Sequence, residues 1–403
     1  MRPNEDFVDV KKAAITSADA LASAGKLNPQ QVREFRDTVI DLSAIKGHCR
    51  VVKIEGSTWE LSKIGVGKRA MVAASEAKDP GIRRGVSTSK ITITPSRVML
   101  PFEIGDEFKL ENVEGVPVER RILRMFGAKF ANDSEELYIE GDTLGYAQLE
   151  NFMLDNGSST KYIKDTFLAL QDGFLKLARG TNDSDAASAN IGLSVFGAAL
   201  RKMPIRFRRD PSKLRFFCAP DIAQLFQERV ASRGTSLGDQ AMTTAAGKLA
   251  PFGVPLVPLP LLPSQPRIVE HLTLPDGIAV SLKYAPVSSV VALPSALAGT
   301  PTTPYTEGAA NDYTLDATAG TITNNAGGNI ANNAVVKVSY LAGPQMILTH
   351  EQNFVIGIGD DIKIEKDRSI YRQVDQYAIS AKLGVGIEDT DAVVLVKNLA
   401  LGI

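Results

Sequence analysis

The apolar positions of this chain change their period several times, and each change marks an element. Residues 1–27 are Ala-, Ser- and Lys-rich with sparse apolar positions. Asn28-Pro29 then offers a cap and a proline at the first helical position, and Val32, Phe35, Val39, Ile40 and Leu42 recur at roughly helical spacing. The pattern predicts a weakly structured arm leading into a short amphipathic helix over 28–45 that ends near Gly47. From 50 to 110 the period shortens. β-prone runs at 50–55, 58–64, 70–73, 88–94 and 97–104 alternate with Gly, Pro and charged turns, as in a long hairpin-like ribbon. Its tip, 65–85, holds Lys68, Arg69, Glu76, Lys78, Asp79, Arg83 and Arg84 but few large apolar side chains. Such a tip buries little within its own subunit and is expected to dock on something else.

Pro117 opens a helix in which Val118, Ile122, Met125, Phe126 and Phe130 recur at three- and four-residue steps to about Leu137. Further helices are predicted at 165–179 and at 194–202, the last stopped by Pro204. Residues 214–218 read as a buried strand, and Pro220 starts a helix with Ile222, Leu225, Phe226 and Val230 on one face. Prolines 251, 255, 258, 260, 263 and 266 make the next stretch stiff and extended, a domain boundary. Beyond it, residues 267–341 are Thr-, Asn-, Gly- and Ala-rich with short strand-like runs, which predicts a small all-β insertion. After Gly343-Pro344 strands are expected near 346–349, 354–358, 362–365, 371–383 and 392–396.

Composition narrows the class. At 403 residues two or three folding units are expected, and 44% hydrophobic with 23% charged residues supports a packed core. Lys and Arg total 45 against 46 Asp and Glu, a net charge of -1, so any polyanion-binding patch must be local. Cys49 and Cys218 make no disulfide framework, which suits folding in a reducing cytoplasm. The acidic start, Asn4-Glu5-Asp6, is unlike a signal peptide, and no apolar run approaches a membrane span. A soluble, unexported protein is expected.

The order of elements, together with "LRKMPIRFRRDPSKLRFFCAPDIAQLFQERVASRGTSLGD" at 200–239, "PFGVPLVPLPLLP" at 251–263 and "HEQNFVIGIGDDIKIEKDRSIYRQVDQYAISAKLGVGIEDTDAVVLVKNL" at 350–399, resembles the major capsid proteins of tailed phages, the Hong Kong ninety-seven type of fold shared with encapsulin shells. The segment "DYTLDATAGTITNNAGGNIANNAVVKVSY" looks like the Ig-like modules inserted into phage surface proteins. The resemblance implies an α+β fold with an N-terminal arm (1–47), an extended β-loop (48–111), a peripheral domain with a spine helix (112–184), an axial domain (185–266), an inserted Ig-like β-domain (267–341) and return strands (342–403). It implies a structural, non-enzymatic subunit that assembles in the host bacterial cytoplasm into hexamers and pentamers of an icosahedral head. That head would enclose double-stranded DNA, with scaffold, portal and decoration proteins as further partners, no membrane and no cofactor. The ribbon would lie over a neighbouring subunit, where Lys68, Arg69, Arg83 and Arg84 find partners. An encapsulin-like compartment is the alternative.

Residues 201–215 hold Arg201, Lys202, Arg206, Arg208, Arg209, Lys213 and Arg215 against Asp210. This cluster suits a solvated face, acidic neighbours in a ring of subunits, or phosphates of packaged DNA. Arg206, Arg208 and Arg209 are the candidate intersubunit contacts. Other motifs are weaker. The string 234–238 matches G-x-S-x-G, so a hydrolase using Ser236 is a remote alternative, but a charged helix precedes it where a buried strand is required. His48, His271 and His350 lie in three separate segments. Gly67-Lys68 lacks the first glycine and the Ser or Thr of a phosphate loop, with Ser62 and Arg69 in those places. Gly357-Ile358-Gly359 lacks a third glycine, Ile362 standing there, and reads as a buried strand with tight turns. Asp360, Asp361, Glu365 and Asp367, or Asp183 with Asp185, could gather a hard cation, but alternation along the strand favours a solvated or intersubunit face.

Overall fold

The computed structural model describes residues 14–15, 45–66, 71, 86–111, 117–150, 160–180, 182–232, 250–295 and 302–400. The helix expected at 28–45, the ribbon tip with Lys68, Arg69, Arg83 and Arg84, and Ser236 lie outside the described residues.

Short β1 (Ala14–Ile15) precedes β2 (Arg50–Ile54), the ribbon strands β3 (Trp59–Val66) and β4 (Val86–Ile93), and β5 (Ser96–Gly105). Helices α1 (Asp106–Glu111) and α2 (Pro117–Glu140) follow, then β6 (Ala147–Leu149), β7 (Tyr162–Lys164), α3 (Phe174–Ala178) and β8 (Asp183–Asp185). Next come α4 (Leu193–Lys202), β9 (Leu214–Cys218), α5 (Pro220–Ala231) and β10 (Leu256–Pro258). The segment after the prolines carries β11 (Arg267–Leu274), β12 (Ala279–Ser281), β13 (Val287–Pro294), β14 (Tyr313–Asp316), β15 (Thr321–Asn324) and β16 (Ala334–Ala342). The chain ends with β17 (Met346–His350), β18 (Phe354–Ser369), β19 (Val374–Ile387) and β20 (Val393–Lys397).

Two five-stranded sheets frame the body. The first runs β1-β5-β19-β18-β2. Alternation sets its faces: Tyr377, Ile379, Ala381 and Leu383 of β19 share one face with Val98, Leu100 and Phe102 of β5, because Phe102 lies opposite Tyr377. That face packs on α2 and α3, where the Phe102 ring stacks between Phe126 at 4.1 Å and Tyr377 at 5.1 Å. The spine helix α2 runs three residues past the expected Leu137, to Glu140. Gly141 then ends it against another backbone, since a Cβ there would lie 2.7 Å from the Leu137 carbonyl oxygen and 3.1 Å from the Gly173 nitrogen.

The second sheet runs β10-β9-β17-β20-β8. Its middle strands have no polar face because α4 and α5 pack on one side and the first core on the other, so Phe216 and Leu348 join one cluster while Phe217 and Ile347 join the other. Phe196 of α4 meets Phe216 and Phe226 edge-on at 4.9 and 4.8 Å.

The Thr/Asn-rich segment forms two three-stranded antiparallel sheets, β11-β16-β13 and β12-β15-β14, around a cluster of its own that includes Leu274, Tyr284, Ile322, Val336 and Val338. Arg267 pairs with Leu341, so the chain leaves this unit beside where it enters.

Two expectations need correction. The helix predicted over 165–179 is a turn, a short 3-10 turn at Leu168–Leu170 and the five-residue α3. The reason is local: Asp165 Oδ1 accepts from the backbone N–H groups of Phe167 and Leu168, and Gly173 donates to the Gly141 carbonyl at 2.8 Å, which pins this stretch to the end of α2. The strands predicted separately at 354–358 and 362–365 are one 16-residue strand, β18, whose pairing shifts between Gly359 and Lys363.

Candidate assembly surfaces

The ribbon pairs β3 with β4 from Trp59 opposite Ile93 out to Val66 opposite Val86. Lys90 and Glu60 form an ion pair of 2.8 Å on it, exposed on both sides. The root is buried: Ile54, Ile93 and Val355 form a small cluster with Val52 and Trp59 against it. Two strands without a third partner gain little from such a base.

The far end of the β18–β19 hairpin is a second projecting feature. From Lys363 to Arg368 every side chain of β18 is exposed. Its turn presents Ile370 at 79% and Tyr371 at 102% exposure. The backbone beneath is braced. Arg372 forks onto both oxygens of buried Glu103 at 2.9 and 2.7 Å, Gln376 Nε2 donates to the same carboxylate at 2.7 Å, and Arg368 reaches Asp106 at 2.7 Å. Sequence reasoning missed this surface because Tyr371 looks like the start of a strand. The available signal was an Ile-Tyr pair inside a run of charges.

The basic stretch at 201–215 runs from the end of α4, where Arg201 and Lys202 lie near Asp183 and Asp185, to Arg215 on β9, and is partly neutralised from within. Arg206 contacts Asp391 at 2.6 Å and Asp389 at 3.7 Å, Arg215 reaches Glu351 at 3.2 Å, and Lys213 lies 3.7 Å from Asp210. Arg206 is thus already held in its own subunit. The Nε of Arg208 is buried without a hydrogen-bond partner, and Arg209 is exposed with no ion pair among the described residues. Asp183 and Asp185, considered for a cation, instead meet Lys397 at 3.4 Å and the Asn398 amide at 3.2 Å. Both cysteines are buried, and burial pushes their thiols up to about 12.

A Bacillus subtilis (strain 168) protein that carries the name of a prophage capsid protein is 27% identical over 386 residues, covering 95% of this chain and 96% of the relative. The capsid of a native GTA particle matches at TM-score 0.51 and 14% identity, covering 96% of this chain and 100% of that one. The fold is the one seen in tailed-phage capsids. It is the Hong Kong ninety-seven type, shared with the SrpI encapsulin of Synechococcus elongatus PCC 7942 at TM-score 0.50, 9% identity and 95% and 96% coverage. No family model matches the chain.

The subunit also holds its Thr/Asn-rich unit firmly. Buried Lys337 of β16 donates to the Leu144 carbonyl just after α2 at 2.8 Å, and desolvation brings its amine down to about 8. Leu293 of β13 packs on Ala147, and Tyr162 bridges to Thr302. At the root, the Arg267 guanidinium lies over Tyr146 and the Arg179 guanidinium over Tyr284, while Tyr340 donates to Glu270. Glu140, at the end of α2, is pushed up to about 7, mainly by desolvation and then by Glu136, against the pull of Arg267 and Arg179. None of these contacts was foreseen, since each joins residues distant in sequence.

Proposed function

We propose that this capsid subunit builds hexamers and pentamers that close into an icosahedral head around double-stranded DNA, assembled in the bacterial cytoplasm with scaffold, portal and decoration partners. The carrying observation is the similarity to a named prophage capsid protein along nearly the whole of both chains. The projecting ribbon and the bare hairpin end fit this reading, because such parts gain stabilisation only between subunits, at about 25 cal/mol per Å² of apolar surface buried. Residues 267–341 act as an inserted Ig-like module on the outer surface, while Lys68, Arg69, Arg83, Arg84, Arg206, Arg208 and Arg209 meet neighbouring copies. Negative-stain microscopy and sedimentation of the purified protein, with and without a scaffold protein, test it. Closed shells are expected, and a 43.3-kDa species at every concentration in both conditions would refute it. The encapsulin-like alternative is separated by shell content: packaged DNA supports a head, cargo enzyme a compartment.

A further inference from the structure

Three glycines, Gly357, Gly384 and Gly386, lie side by side in the centre of the first sheet, and their backbone does not require them. None has a positive φ. Glycine in a strand interior is destabilising and lacks a side chain to pack, so adjacent glycines on paired strands call for a reason in space. Gly357 faces Gly384 across the β18–β19 pair, and Val355 faces Gly386. All belong to the face turned away from α2, since Tyr377, Ile379, Ala381 and Leu383 take the other.

The ribbon root fills that bare floor. A Cβ on Gly384 would lie 2.8 Å from Ile93 Cγ2 and 3.2 Å from Pro95 Cα, and one on Gly386 would lie 2.8 Å from both Ile93 Cγ1 and Cδ1. One on Gly357 would overlap the Ile54 side chain. Ile93 and Ile54 are accordingly 2% and 1% exposed. We propose that Gly357, Gly384 and Gly386 are positioning residues for shell assembly, forming a seat that fixes the direction in which the ribbon leaves the subunit. Eight residues of β3 at about 3.3 Å each reach about 26 Å, so a tilt of about 5° at the root moves the far end by about 2 Å. That is enough to spoil a packed contact with a second copy.

The inference rests on the shell reading, and the experiment separates the two. Gly384→Ala is expected to leave a folded subunit, to speed amide exchange in β3 and β4 at least about threefold, and to cut the yield of closed shells about tenfold. Adding Ile93→Ala removes the closest group that the new methyl strikes, leaving Pro95 Cα at 3.2 Å, and should restore part of the yield. Gly386→Ala, which meets only the pliable end of Ile93, is the milder variant should Gly384→Ala not fold. Wild-type protein that forms no shells refutes the shell reading alone, and the exchange rates then decide the seat. Unchanged exchange and yield in both glycine variants, or a loss that Ile93→Ala fails to relieve, overturns the seat.

Discussion

Glu140 shows what a single buried charge does here. Its carboxyl sits near 7 in the fold against an ordinary 4.5, so the folded state holds a proton that the unfolded chain releases between those values. Stability therefore falls as pH rises from about 4.5 to 7, and above 7 the ionised form carries a full penalty on the order of 2–3 kcal/mol. Glu140→Gln should raise the urea midpoint at pH 8 and leave it nearly unchanged at pH 4; equal shifts at both would show that charge is not the cause. Lys337 runs the other way. Its amine is brought down from 10.5 to about 8, so stability rises as pH climbs from about 8 to 10.5. Lys337→Met should flatten that rise, read as a pH series of melting curves. Neither residue could be recognised from the sequence, where Glu140 is one acid near a helix end and Lys337 one cation in a strand. Gly357 was visible, but its meaning depends on Gly384, Gly386 and Ile93, which only the sheet register brings to it.

At the scale of elements, the ribbon and the Thr/Asn-rich unit make opposite demands. Deleting residues 66–82 should leave a folded monomer that no longer closes shells, because the root cluster of Ile54, Ile93 and Val355 stays intact. A deletion product that assembles normally would remove the ribbon from the mechanism. Replacing 267–341 with a short Gly/Ser linker is geometrically easy, since Arg267 and Leu341 are paired, yet it takes Val269 from the main core and uncovers Ala147. The expected product is soluble but melts lower than the parent, while a linker spanning only 272–335 should melt closer to it. An insoluble product from both would contradict separability. Elements with a clear period, such as α2, α4 and β9, were legible in the sequence to within a few residues. The 165–179 stretch was not, because a side-chain cap at Asp165 and a close backbone contact at Gly173 override its helical spacing.

For the whole molecule, near-neutral charge means that attraction between copies must come from local patches. Arg209, like Arg201 and Lys202, is an exposed cation of the 201–215 cluster without an ion pair among the described residues. Arg209→Glu should lower shell yield when no DNA is present; normal empty shells with poorer DNA retention would assign it to the genome instead. The mixed fold class and the order of ribbon, spine helix and closing strands were readable because each leaves a distinct pattern, whereas the docking of the Thr/Asn-rich unit depends on tertiary neighbours. That unit starts and finishes on paired strands, Arg267 beside Leu341, with backbones about 5 Å apart. The chain ends at this junction therefore stay fixed relative to each other, while Lys337, Leu293 and Thr302 tie what lies between to the rest of the subunit. A foreign domain with neighbouring termini would meet matched chain ends there, and a closed shell of the kind proposed above would repeat it at uniform density.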